Sequence, residues 1–269
     1  MSIEATEQDI RIMRMEKNDT YSKPATAKYK YKQPPIQEAV CEIHFKIAQP
    51  LDQEALKKME SVWLPEYPLK NVVAEKQIQL QLSVEKIESK TVDMGHKLVM
   101  RSADGKNLAQ LAASFMAVNK LSPYQGWSRA FRDQIISRFR DVQSIYGIET
   151  ITQIGLRYID RIEFPQNPLR WCEWFAVTLP IPNGKDALGG DFQSFSRQKI
   201  GDGMISQINF ATLPPLAPGT TSVLLDIDVI LAKEIPANAI LEALEQVHSP
   251  HLAIFEGFLL DKTRDLFNI

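Results

Sequence analysis

Ile154-Gly-Leu-Arg-Tyr-Ile-Asp-Arg-Ile-Glu-Phe164 is the stretch on which the fold turns. Successive side chains of a strand point to opposite faces, so Leu156, Tyr158, Ile162 and Phe164 fall on one side and Arg157, Ile159, Arg161 and Glu163 on the other. A ribbon that is oily on one face only belongs to an antiparallel sheet with a cover on that face. The same alternation appears in Val40–Ile47, where Cys41, Ile43, Phe45 and Ile47 oppose Val40, Glu42, His44 and Lys46, and again at Ile78, Leu80, Leu82 and Val84. His96–Ser102 and Asn107–Met116 flank Ala103-Asp104-Gly105, a hairpin signal because Gly accepts the positive φ of a tight turn.

The cover is also legible. Asp52–Val62 reads as a short amphipathic helix ended by Pro65 and Pro68. A longer helix is predicted over Pro123–Tyr146, with Ser122 as cap, Pro123 in the first turn and Gln125 completing a capping box. Tyr124, Trp127, Phe131, Ile135, Phe139, Val142 and Tyr146 make its apolar stripe, Arg129, Arg132, Asp133, Arg138, Arg140 and Asp141 lie largely off it, and Gly147 stops it.

The second half repeats this order: a strand over Thr150–Phe164, a short helix over Pro168–Phe175, and strands over Phe192–Lys199, Met204–Ala211 and Ser222–Ala232. Helical residues 236–265 follow, opened by Pro236 and restarted at Ser249 and Pro250. The expected fold is therefore α+β, an antiparallel sheet backed by long helices and built from a duplicated βαβββα unit. Residues 1–33 are expected to form a flexible tail, 34–147 the first half, and 148–269 a second half packed with the first as one compact unit.

Composition narrows the function. A chain of 269 residues buries a sizeable core without metal or disulfide, and 44% apolar with 24% charged residues is ordinary globular material. A net charge of −2 and a pI near 6.1 argue against a surface dominated by phosphate contacts. Cys41 and Cys172, without CxxC spacing, read as reduced, buried thiols. With no apolar leader segment and no apolar run long enough to span a bilayer, the expected location is the cytoplasm. Lys28, Lys30 and Lys32 alternate with Tyr29 and Tyr31, as a solubilising leader, a polar edge strand or a small anion-attracting arm.

Arg157 and Arg161 project two residues apart on one face, and two guanidinium forks can hold a carboxylate or phosphate. Asp226 and Asp228 share the polar face of the strand whose oily side is Val223, Leu225, Ile227 and Val229. If the strands are neighbours, these four residues form either a cross-strand ion-pair network or a polar surface for an anion or a partner. Two aspartates are too few ligands for a hard cation, so neither metal nor cofactor is expected. His248 and His251 read as helix-junction residues, His44 and His96 as structural hydrogen-bonding groups. The nucleophile, zinc and nucleotide motifs GxSxG, SxxK, HExxH, the P-loop and GxGxxG are missing, and no catalytic residue is assigned. Trp127 reads as core, Trp171 and Trp174 as one face packed on the sheet, and the loop over 182–190 as a binding flap.

Taken in order, YKQPPIQEAVCEIHF (Tyr31–Phe45), Arg101-Ser-Ala-Asp-Gly105, Pro123-Tyr-x-x-Trp127, Ile154-Gly-Leu-Arg-Tyr-Ile-Asp-Arg161, Asp226-x-Asp228 and Leu260-Asp-Lys-Thr-Arg-Asp-Leu-Phe267 resemble a sporadically distributed bacterial family of unknown function, over nearly everything after the tail. The chain departs from that family at Asp160, where Asn is common, exchanging a neutral group for a charged one. The resemblance implies no catalytic residues, and the family's patchy distribution implies an accessory role in defence or a toxin–antitoxin pair. The leading expectation is a non-enzymatic interaction or ligand-binding module for a protein partner or small anionic ligand. The rival is an enzyme with an unfamiliar site for a small anionic substrate.

Overall fold

Thr150–Phe164 (β6) is a single uninterrupted strand, with Leu156, Tyr158, Ile162 and Phe164 buried as the alternation requires. The computed structural model describes residues 31–47, 53–82, 87–177 and 190–268. The expectations for the tail before residue 31 and for the 182–189 stretch of the loop lie outside these, as do the side chains of Ile78, Leu80, Leu82, His96 and Arg129 and the whole of Val84.

The remaining strands are β1 (Ile36–Lys46), β2 (Leu69–Leu82), β3 (Ile87–Arg101), β4 (Asn107–Leu111), β5 (Phe115–Leu121), β7 (Gln193–Gly201), β8 (Met204–Leu213), β9 (Thr221–Leu231) and β10 (Ile235–Pro236). All join one antiparallel sheet in the order β2-β3-β4-β5-β1-β6-β9-β8-β7, with β10 paired to β6. β1 and β6 lie at its middle, where both neighbours satisfy their backbone groups. Rows of inward residues cross the sheet there: Cys41, Leu156 and Val229, then Ala39, Tyr158 and Ile227. The helices α1 (Gln53–Trp63), α2 (Arg132–Tyr146), α3 (Ile240–Phe258) and α4 (Asp261–Leu266) complete the fold. α3 packs on β9 and β6, while α2 packs on β5 and α1, sealing the apolar face over Phe131, Ile135, Phe139, Leu244 and Val247.

The α+β class and the helix-backed antiparallel sheet thus stand, but several boundaries move. Asn107–Met116 is two strands, because the chain reverses at Ala112-Ala-Ser114 and returns as β5, with the Ala112 N–H bonded to the Phe115 carbonyl at 2.9 Å. The long helix starts at a π-helical turn, Trp127–Phe131, because Gly126 holds φ 102° and ψ 164°, values no helix contains. The Phe131 N–H reaches back to the Gly126 carbonyl at 3.3 Å to close that turn. Arg138 is buried rather than on the wet side, reaching Glu66 at 3.0 Å and lying over the Tyr67 ring. Only a 3₁₀ turn, Trp171–Glu173, forms where a short helix is expected, yet Trp171 and Trp174 are buried. α3 runs straight through Pro250, since burial of Val247, His251 and Phe255 outweighs the one helical hydrogen bond that proline removes. Cys41 is buried as expected; Cys172 is exposed, and both thiols are free.

The hairpin at 103–105 and the Gly147 stop follow the expected chemistry. Asp104 accepts from Ser102 Oγ and the Lys106 N–H while Gly105 takes φ 72°. Gly147 sits at φ 61°, its N–H bonded to the Gln143 carbonyl at 2.9 Å. Among the described residues no helix is long and apolar enough to cross a membrane.

Candidate functional site

The expected polar residues do share the sheet face away from the helices. β6 and β9 are neighbours, with Arg157 opposite Asp228 and Ile159 opposite Asp226. Arg157 reaches diagonally to Asp226, Nε donating to Oδ1 at 2.8 Å and Nη2 to Oδ2 at 2.7 Å. These bonds hold the guanidinium above its ordinary pKa. Arg161 joins neither aspartate, donating instead to Glu163 Oε1 at 2.7 Å, the Pro214 carbonyl at 2.7 Å and Ser222 Oγ at 2.9 Å. Burial, with Asp226 and Glu42 adding to it against Arg157, pushes the Asp228 carboxyl up to about 6. Gly155 leaves room beside it: a Cβ there would stand 3.5 Å from Asp228 Oδ1. His44 contacts Glu42 at 2.5 Å along β1, the hydrogen-bonding role expected of it. Arg157, Asp226 and Arg161 are satisfied on this face, whereas Asp228 Oδ1 and Glu163 Oε2 are buried without a hydrogen-bond partner among the described residues. Among the described residues no group of three or more His, Cys, Asp or Glu stands ready to hold a metal.

The opposite face of β6 opens a different site. Asp160 has the parity of Tyr158 and Ile162, so it points toward the helices, and it is 1% exposed. Neither of its carboxyl oxygens has a hydrogen-bond partner among the described residues. Burial, and secondarily the charge of Asp226, pushes its pKa well above the usual carboxylate range. Opposite Asp160 the β1 ladder slips: Ile36 pairs with Asp160 and Glu38 with Ile159, leaving Gln37 as a bulge. The Gln37 carbonyl turns to the Ser122 N–H at 2.9 Å while the Arg161 N–H still donates to the Pro35 carbonyl at 3.0 Å, so β1 bulges beside Asp160 and then rejoins β6.

A pocket of about 1040 Å³ fills the gap, with Asp160, Tyr158, Tyr124, Trp127, His248 and Phe255 among its lining residues. The Tyr124 and Tyr158 hydroxyls are 2.9 Å apart. Burial raises both phenols far beyond their ordinary value, with Asp160 adding to it in each. His248 stacks on Trp127 with centroids 4.2 Å apart and planes 2° from parallel. The Trp127 Nε1–H donates to Glu245 Oε1 at 3.0 Å, which fixes the indole plane. His251 stands edge-on to Tyr158 and its Nε2 lies 3.1 Å from the Ile227 carbonyl, consistent with the Nε2–H tautomer. Burial lowers His248 to about 4 and His251 to about 3. At the rim, Tyr31 packs on Phe255 and Phe267 and donates to Glu256 Oε1 at 2.8 Å, which docks the segment from Tyr31 on the pocket.

The pocket therefore joins uncharged aromatic walls to one unpartnered acid. His248 and His251, expected as junction residues, and Trp127, expected as core, are wall groups. In comparisons with known proteins, no family model and no curated protein matches this chain.

Proposed function

We propose that this chain is a non-enzymatic ligand-binding protein whose site is the aromatic pocket between β6, the Tyr124–Phe131 segment and α3. One observation carries the reading: a fully buried carboxyl, Asp160, lines a pocket large enough for a small molecule and has no hydrogen-bond partner among the described residues. Buried polar groups are almost always satisfied, so an exception calls for an explanation, and for one that lines a pocket a ligand supplies it. The rival, an enzyme acting on a small anionic substrate, needs a group poised to take a proton or to attack. Burial holds the pocket's phenols in their protonated form and makes its imidazoles weak bases, so neither is tuned to take a proton near neutral pH.

The test uses the indole N–H resonances of ¹⁵N-labelled protein, because of Trp63, Trp127, Trp171 and Trp174 only Trp127 lines the pocket. A screen of small aromatic fragments is expected to shift the Trp127 signal saturably while the other three stay put. Fragments that bind only elsewhere, or none that bind, overturn the reading.

We also infer that the two halves are copies of one unit. Support comes from the strand order, which runs β1-β5-β4-β3-β2 to one side of the central pair and β6-β9-β8-β7 to the other. The extra strand of the first half lies at its outer edge, where addition disturbs no neighbour. A single rotation carrying β1 onto β6, β5 onto β9 and α2 onto α3 is the check, and failure of the helices to follow the strands overturns it.

A further inference from the structure

Resting on the pocket as the binding site, we infer that its ligand is a planar organic cation of the amidinium or guanidinium class, bound edge-on by the two oxygens of Asp160 and flanked by the aromatic walls. Three features of the site converge on this. Neither oxygen of Asp160 is bonded among the described residues, and once the acid ionises the two stand side by side as acceptors that a planar cation with two parallel N–H groups matches in a two-point fork. No basic side chain is bonded to it among the described residues, so the positive charge that makes a buried carboxylate tolerable has to come from outside. The rings of Tyr124, Tyr158, Trp127 and Phe255 line the same space, and the negative faces of aromatic rings attract a flat cation once water is displaced.

The groups facing this carboxyl decide how binding responds to pH. Tyr158 on its own strand, Tyr124 before the π turn, and His248 and His251 on α3 are uncharged at neutral pH. Asp226 on β9 opposes ionisation of Asp160, and Lys32 is the one lysine or arginine among the described lining residues. Without ligand Asp160 holds its proton more tightly than an exposed carboxyl does. A cation that docks on it releases that proton to solvent, so below the pKa of Asp160 the affinity rises with pH, up to about tenfold per unit. A neutral ligand shows no such rise.

Three probes of one shape separate the possibilities: benzamidine, a cation; benzamide, neutral; benzoate, an anion. Titrated against the Trp127 indole resonance at pH 7, benzamidine is expected to bind at least about tenfold tighter than either of the others, a difference of about 1.4 kcal/mol. Asp160→Asn is expected to remove that preference. The pH series on the unaltered protein needs no variant: benzamidine affinity climbs with pH while benzamide affinity does not. Benzamide or benzoate binding as tightly as benzamidine at the Trp127 signal, or a benzamidine affinity indifferent to pH between 5 and 8, overturns the cation assignment and leaves the pocket reading standing. No saturable shift of Trp127 with any of the three overturns both.

Discussion

Arg157 grips Asp226 by two parallel hydrogen bonds, 2.8 and 2.7 Å long, across the β6–β9 ladder. The two partners are unequally exposed: the arginine side chain is 46% accessible and the aspartate 10%. Removing one is therefore not equivalent to removing the other. Arg157→Ala leaves a carboxylate in a nearly dry position, and about 1–2 kcal/mol of stability is expected to go, after allowance for the solvent that reaches the guanidinium. Asp226→Asn leaves a cation that water can solvate and costs less, about 0.5–1 kcal/mol. Urea denaturation of the two variants measures the asymmetry; equal or reversed costs contradict it.

Parity of side chains along a strand reads well from sequence, whereas register between strands does not. One period runs from Ile154 to Phe164, while Ile151 is buried at the opposite parity because the β1 ladder skips Thr152 between Gln153 and Ile151. The pairing of Arg157 with the aspartates then depends on how β9 slides along β6. The register puts Arg161 opposite Leu224, beyond the reach of Asp228, and next to the pair Glu163–Ser222, which take it instead. Asp160 was open to inference: its even position sets it among Leu156, Tyr158 and Ile162, a charge on the oily side. The pocket around it was not, since its walls come from residues 31–36, 124–128 and 248–255, which only the closed fold brings together. A residue-by-residue period also misses Gly126, whose positive φ replaces a regular helix start by the turn that presents Trp127.

Two glycines test that last point by opposite signs. A Cβ at Gly126 meets nothing within 4 Å, so any cost of Gly126→Ala comes from the backbone at φ 102° alone. A loss of about 1–3 kcal/mol is expected. Gly257, exposed near the end of α3 with equal space around it, has no such conformation, and Gly257→Ala is expected to gain up to about 1 kcal/mol from helix propensity. Thermal unfolding of both variants reads the difference; a neutral Gly126→Ala contradicts the strained turn.

His251 makes a second prediction by titration. Burial holds its folded pKa near 3, below the value of about 6.5 for an exposed imidazole. The unfolded state therefore binds the proton first, and this site's contribution is complete above pH 6.5 and lost as pH falls toward 3, by up to about 1.4 kcal/mol per unit. Asp160 and Asp228, raised carboxyls, slope the other way over part of this range and His248 slopes the same way, so total stability hides the effect. The difference between the unaltered protein and His251→Gln isolates it. At pH 7.5 the variant is expected to be weaker by about 1–2 kcal/mol, having lost the ring contact with Tyr158. That gap closes on acidification; a gap constant from pH 7.5 to 5 contradicts a neutral buried imidazole.

The converse sign belongs to Asp160. Its folded pKa is raised well above that of an unfolded carboxyl, so the folded state holds a proton that the unfolded state has already lost above about pH 4. Stability from this group is full below pH 4 and declines as pH rises through the folded pKa, at up to about 1.4 kcal/mol per unit. Asp160→Asn keeps the shape of the neutral acid and cannot ionise, so it is expected to match the unaltered protein at pH 4 and to be the more stable of the two at pH 7. Paired urea titrations across that range measure the divergence. If the variant is the weaker at pH 7, the carboxylate is ionised and paired in the folded chain, and Asp160 is not an acid waiting for a ligand.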